Sequence, residues 1–112
     1  MNPLKVTKEN LGVNSPIPLE VLKDDPAVIQ RFADDLMDEY QAAKNAGRQK
    51  VVFIIPVGPV GQYDIWAERC NSESVGLNDL VLINMDEYLT EDSQSFIPLT
   101  DPLSFRKHMQ TH

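Results

Sequence analysis

The chain has 112 residues, a length that suits one modest domain. Hydrophobic residues make up 42% of it, and no stretch approaches the roughly 18 consecutive apolar residues that a membrane span needs, so we expect no membrane partner. The net charge of -7 repels the phosphate backbone of DNA and RNA, which argues against a nucleic-acid partner. The lone Cys70 offers neither a disulfide nor a zinc site, and no secretory signal is present, so we expect a cytoplasmic protein without a metal.

The first strong pattern is a helix that follows an irregular start. Residues 1–23 show no sustained period and contain two prolines between Ser15 and Glu20, which predicts an extended lead-in that packs on the domain. Asp24, followed by Asp25 and Pro26, predicts a helix start, and Gly47 predicts its end. Apolar residues recur between them at spacings of three and four: Val28, Ile29, Phe32, Ala33, Leu36, Met37 and Tyr40. We therefore divide the chain into a lead-in, 1–23, and the N-terminal part of a single α/β domain, 24–112.

Two short apolar runs follow, and each predicts a strand. Val51 to Ile55 does not alternate, as expected for a strand covered on both faces, and Leu80 to Ile83 repeats this signature of a buried strand. Between them, a second helix is predicted with one apolar face formed by Tyr63, Trp66, Ala67 and Cys70. Strand, helix and strand form a βαβ unit with parallel strands, so the predicted fold class is α/β with parallel-sheet layers.

The remainder of the chain predicts one more helix, beginning at Asp101 and Pro102. The sequence ends at His112 without the further strands of a doubly wound sheet, so we expect either an N-terminal fragment or a chain that needs a partner. A homo-oligomer is one arrangement that would cover the open edges of such a sheet.

Ligands bind beyond the carboxyl ends of the strands in a parallel sheet, and two loops are expected there. The first loop contains Gly58, Pro59, Val60 and Gly61 and leads into a helix N-terminus, which offers backbone N–H groups to an anion. It has neither the GxGxxG spacing of dinucleotide-binding folds nor the lysine of a P-loop. A tight turn that binds no ligand is therefore an equally good interpretation of this first loop.

The second loop reads Asn-Met-Asp-Glu-Tyr and runs from Asn84 to Tyr88. It places the carboxylates of Asp86 and Glu87 at the mouth of a predicted pocket, where burial raises a carboxylate pKa toward the working pH of a general base. Two structural alternatives stay open. Asp86 caps the following turn in one of them, and Glu87 points to water in the other.

The residues from Asn84 to Tyr88, with the polar segment Asp92 to Phe96 after them, resemble the glucosamine-6-phosphate deaminase/isomerase family. Upstream, Ile55 to Gly58 and Pro59 to Tyr63 resemble the family's strand, Pro-Thr-Gly turn and Pro-x-Gly-x-Tyr motif. The similarity covers roughly residues 24–110. It implies a Rossmann-like fold of the sugar-phosphate isomerase type, a small sugar phosphate as ligand, and no cofactor.

The resemblance also implies roles for individual residues. Asp86 corresponds to the general base that takes the C2 proton of an open-chain amino sugar phosphate, while Glu87 and Tyr88 shape the pocket. Val57 stands where the family has a threonine, and the family's ring-opening histidine and phosphate-binding lysine belong to a later half of its members. We therefore expect no activity from this chain alone.

A non-catalytic relative that binds sugar phosphates or has a regulatory role remains an alternative. A related branch, the phosphogluconolactonases, carries an Asp-Glu-Arg type sequence at this place. Tyr88 therefore disfavours a hydrolase of the lactonase type.

Overall fold

The computed structural model describes residues 5–111 and shows an α/β fold with three helices and one two-stranded sheet. The elements in chain order are α1, Asp25–Asn45; β1, Val51–Ile55; α2, Gln62–Ser72; β2, Leu80–Asn84; and α3, Phe105–Thr111. The two strands are parallel. The predicted α/β class and the parallel βαβ unit are therefore confirmed. No helix within the described residues is both long enough and apolar enough to cross a membrane.

Helix α1 begins and ends at the residues that its sequence predicts. The Asp24 carboxylate accepts a hydrogen bond of 2.9 Å from the Ala27 N–H, which satisfies one of the donors that the first helical turn leaves free. The chain leaves the helix just before Gly47, which adopts a φ of +82° that is unfavourable for residues with a side chain. Both predicted ends of this helix are confirmed.

The hydrophobic core lies between the two long helices and one face of the sheet. Ala33 and Met37 on α1 are completely buried, and Trp66 on α2 packs against Phe53 of β1 with 6.2 Å between the ring centroids. The other buried members are Leu36, Tyr40, Val51, Ile55, Tyr63 and Cys70. Ala67, which we expected on the apolar face of α2, is exposed.

The opposite face of the sheet is open, so the prediction that both strands are covered on both faces is wrong. In β1 the side chains of Val52 and Ile54 are 55% and 68% exposed, and in β2 those of Val81 and Ile83 are 43% and 48% exposed. Successive side chains of a strand point to opposite faces, and the core lies on only one of these faces. The radius of gyration is 17.5 Å, against about 13 Å for a compact chain of this length.

Part of the lead-in, residues 7–15, differs from the predicted extended course. Residues 7–15 form consecutive turns closed by backbone hydrogen bonds, because positive φ values, such as +77° at Gly12, reverse the chain direction. Arg31 of α1 pairs with Glu20 at 2.8 Å and joins this segment to the helix layer. Residues 1–4 of the predicted lead-in, and His112, lie outside the described residues.

Helix α3 begins at Phe105 rather than at the predicted Asp101 and Pro102. The Asp101 carboxylate accepts from the Leu103 N–H at 2.8 Å and closes a turn instead of a helix. The Ser104 hydroxyl then accepts from the Lys107 N–H at 3.2 Å, the geometry of a helix N-cap. The Asp-Pro pair therefore marks a turn that precedes the true helix start.

Candidate functional site

The strand register brings the two predicted loops to the same edge of the sheet. Ile55, the last residue of β1, pairs with Asn84, the last residue of β2. The Met85 N–H donates to the Ile55 carbonyl at 2.8 Å, so the pairing continues to the point where both loops begin. The loops 56–61 and 85–88 therefore leave the carboxyl edge side by side, as the sequence predicts.

Side chains from the first turn of α2 hold the first loop in place. Gln62 is completely buried, and its Nε2 donates to the Val57 carbonyl at 3.1 Å. The Tyr63 hydroxyl donates to the Pro56 carbonyl. Burial raises the pKa of this phenol, while a hydrogen bond with Gln62 acts in the opposite direction. Sequence analysis missed Gln62, whose only signal was its position directly after a glycine-rich loop.

The outer part of this loop presents mainly backbone to the solvent. Gly58, Pro59 and Val60 are exposed, and Gly61 caps α2 with a φ of +110° and without a capping side chain. The Oε1 atom of Gln62 is buried and has no hydrogen-bond partner among the described residues. The loop thus offers the N–H groups of a helix start and one unpaired acceptor near its base.

Glu87 anchors the second loop to α3. Its side chain is only 5% exposed, and its carboxylate accepts from the N–H groups of Tyr88, Phe105 and Arg106 at 2.9 Å each. The Ser104 hydroxyl donates to the same carboxylate at 3.1 Å, and the Nε of Arg106 does so at 3.2 Å. This one side chain therefore satisfies donors at the start of α3 and fixes the end of the loop after β2.

The charge of Glu87 follows from these contacts. Burial by itself raises the pKa of the carboxyl, but the hydrogen bonds from Arg106, Phe105, Tyr88 and Ser104 outweigh that effect and lower it to about 2. The carboxylate is therefore ionised at neutral pH with its oxygens engaged. The alternative in which Glu87 points to water is wrong. The side chain that we expected to support the pocket instead holds the loop to a helix.

Asp86, the predicted general base, is the exposed neighbour of this anchor. None of the described residues hydrogen-bonds to its carboxylate or forms an ion pair with it. The alternative in which Asp86 caps the following turn is therefore wrong as well. The burial that we predicted for this carboxylate is also absent, because the loop and α3 leave it open to solvent.

Asn84 and Tyr88, the remaining candidates in the second loop, lie on either side of Asp86 in the sequence. Asn84 is half-buried at the end of β2, and the Tyr88 ring lies 5.1 Å from the ring of Phe105 while staying 49% exposed. Beyond Tyr88 the chain forms a short hairpin, from which the Ile97 carbonyl accepts a hydrogen bond of 2.6 Å from Arg106 Nη2. Arg106 and Ser104 were missed by sequence analysis because their partners are distant along the chain.

Two grooves on the surface of the described residues exclude the second loop, although one of them reaches Ile55 and Pro56 at the carboxyl end of β1. A groove of about 630 Å³ is lined by the turns of residues 5–19, and one of about 300 Å³ lies between α1 and β1. Neither groove is lined by Asp86 or Tyr88. Within residues 5–111, no group of three or more His, Cys, Asp or Glu side chains is arranged to hold a metal ion.

Comparisons with the models of known protein families, with curated proteins and with solved structures give no significant match for this chain.

Proposed function

We propose that the carboxyl edge of the β1–β2 sheet is a sugar-phosphate site of the Rossmann-like isomerase and deaminase type, with Asp86 as its general base. One observation carries this proposal: of the two adjacent carboxylates at the edge, Glu87 is fully engaged with α3 while Asp86 is free. The resemblance of Asn84 to Tyr88 to the glucosamine-6-phosphate deaminase/isomerase family supplies the class of reaction.

The chemistry suits a free carboxylate on a fixed backbone. A proton next to the carbonyl of an open-chain sugar is removed by a base within hydrogen-bond reach, which gives an enediol or enolamine. Glu87 restrains the peptide directly after Asp86 through its hydrogen bonds to α3. Asp86 therefore has a defined backbone position without being tied by its own side chain, as proton abstraction requires.

Phosphate recognition in this proposal rests on the backbone at the start of α2. The Val57 side chain is buried in the protein and supplies no hydroxyl, whereas the first N–H groups of the helix follow directly after Gly61. Such N–H groups, with the positive end of the helix dipole, bind anions. Gly61 suits this position because a side chain at its φ of +110° would be strained.

The test separates binding from proton abstraction. The chain is incubated with glucosamine 6-phosphate in D₂O, and loss of the C2 proton signal is followed by NMR, while calorimetry measures binding at millimolar ligand. We expect binding and C2 exchange in the native chain, as the partial reaction of the base, without release of ammonia or isomerised product, because the family's ring-opening histidine belongs to a later half of its members. Asp86→Asn should abolish the exchange and leave the binding heat nearly unchanged. Glu91→Gln is the matched control, because it removes another exposed carboxylate from the same segment and should leave both unchanged.

Absence of binding heat would contradict the sugar-phosphate assignment. Exchange that persists in Asp86→Asn would contradict the role of this residue as the base.

A second candidate function is binding without catalysis, as in a regulatory relative. The buried Val57 favours it, because the family threonine at this position is replaced by a side chain that belongs to the interior. Binding with no C2 exchange in the native chain would select this candidate. Both candidates suit the cytoplasmic location predicted from the lone Cys70, a buried free thiol in the structure.

A further inference from the structure

A groove of about 300 Å³ lies between α1 and the outer edge of β1, away from Asp86. Phe32 and Leu36 of α1 supply apolar lining on the helix side of the groove, and the carboxylates of Asp35 and Glu39 lie on the same side. The rest of the apolar lining comes from β1 and the residue that follows it. The strand residues that line it are Val52, Phe53, Ile54 and Ile55, followed by Pro56. The groove is thus an apolar channel with an acidic wall.

The strand side of this groove is an unpaired edge of the sheet. The Val51 N–H donates to the Asp79 carbonyl on the β2 side at 2.9 Å. Residues of a strand in a parallel ladder point their N–H and C=O groups alternately to the two neighbouring positions. The backbone groups of Val52 and Ile54 therefore point away from β2, toward the groove, where the described part of the chain supplies no further strand.

The acidic wall carries one carboxylate that no described residue neutralises. Asp35 pairs with Arg31 at 2.9 Å on the surface of α1. Glu39, one helical turn further along, is exposed and forms no ion pair or hydrogen bond within residues 5–111. A ligand in the groove would therefore meet apolar side chains, backbone donors and acceptors in a row, and an unpaired negative charge.

We propose that this groove binds an extended polypeptide segment that adds a strand to β1, with apolar side chains at alternate positions and a lysine or arginine beside Glu39. A row of free N–H and C=O groups is a template for another strand. Alternate side chains of that strand would fill the apolar channel, and the cation would select its register. The proposal does not depend on the sugar-phosphate site, since the groove contains neither Asp86 nor the start of α2 and shares only Pro56 with the two loops.

The chemistry favours a basic segment of another protein over a second copy of this chain. The net charge of -7 on each copy opposes self-association at an acidic wall. A small apolar ligand would fill the channel but would leave the backbone groups of Val52 and Ile54 without partners. An extended basic segment satisfies all three features of the groove.

Amide hydrogen exchange, followed residue by residue by NMR, tests the proposal on the intact chain. The probe is a terminally blocked eight-residue peptide that alternates valine with lysine and threonine. In the free chain we expect the Val52 and Ile54 amides to exchange at least about tenfold faster than the Phe53 amide, which is bonded to β2. The probe should slow exchange at Val52 and Ile54 about tenfold and leave Phe53 nearly unchanged.

Charge variants locate the peptide in the groove. Glu39→Lys should weaken binding of the lysine probe about fivefold and strengthen binding of a matched probe with glutamate in place of lysine. Glu68→Lys, a change of an exposed carboxylate on α2 outside the groove, should alter neither. Equal effects of the two variants, or no slowing of exchange at millimolar probe, would overturn the proposal. Protection of Val52 and Ile54 that rises with protein concentration alone would identify a second copy as the occupant and would also overturn it.

Discussion

The layer formed by α1, α2 and β1 and the segment that follows β2 are stabilised in different ways. The first buries a continuous set of apolar side chains, with Met37 completely inaccessible. The second, residues 85–111, buries Ile97, Ser104 and the side chain of Glu87, and is tied together by the hydrogen bonds of Glu87 and Arg106. Hydrophobic burial thus builds the scaffold, while one ionised carboxylate orders the loop that carries Asp86.

The largest effect should come from the apolar layer. Met37→Ala removes a completely buried side chain and should lower the free energy of unfolding by about 2–5 kcal/mol, because it leaves a cavity between α1 and its neighbours. Chemical denaturation followed by circular dichroism measures this loss. Met85→Ala is the matched control, since Met85 is 60% exposed and its truncation should change stability by less than about 0.5 kcal/mol. Similar losses in the two variants would contradict the position of the core.

A somewhat smaller and more local effect is expected at Glu87. Its carboxyl pKa is lowered from 4.5 to about 2, which, after a discount for solvent screening, corresponds to on the order of 1–3 kcal/mol of stability at neutral pH. Glu87→Gln should therefore open residues 85–111 and speed amide exchange at Phe105 and Arg106, while the amides of α1 stay protected.

Glu91→Gln provides the comparison for this change, because Glu91 is exposed in the same segment. If the two variants gave the same exchange rates at α3, Glu87 would not be the anchor of this segment.

The smallest effect is expected at the start of α1. Asp24→Ala removes the 2.9 Å hydrogen bond to the Ala27 N–H and should cost about 1 kcal/mol in thermal or chemical unfolding. Asp25→Ala changes a neighbouring carboxylate that does not cap, and should cost only a few tenths of a kcal/mol through the helix dipole. If Asp24→Ala lowered the free energy of unfolding as much as Glu87→Gln, the contrast would fail between a helix cap with one hydrogen bond and an anchor that accepts several.

The two regions also differ in how far the sequence predicts them. The spacing of apolar residues and the Asp24 cap are local signals, so α1, α2 and the strand positions follow directly from them. The open face of the sheet does not, because a run of valine and isoleucine indicates a strand without indicating what covers it. The solvent exposure of the Val52 and Ile54 side chains therefore follows only from the three-dimensional structure.

In the candidate site, too, the sequence predicts some features and not others. The position of Asp86 at the carboxyl edge follows from βαβ logic, and the register confirms it. The engagement of Glu87 does not follow from the sequence, because its donors at Phe105 and Arg106 lie 18 and 19 residues further along the chain. Local pattern consequently gave two neighbouring carboxylates similar roles, and the tertiary contacts separate them.

A carbon-13 NMR titration of the Glu87 side-chain carboxyl tests most directly whether this residue orders the loop and leaves Asp86 free. A carboxyl whose folded-state pKa is lowered contributes stability that is complete above its ordinary value of 4.5 and is lost as the pH falls toward about 2. We predict that the Glu87 resonance titrates near pH 2 and that amide protection in α3 decreases over the same interval. Titration of Glu87 near 4.5, with α3 still protected below that pH, would contradict the account.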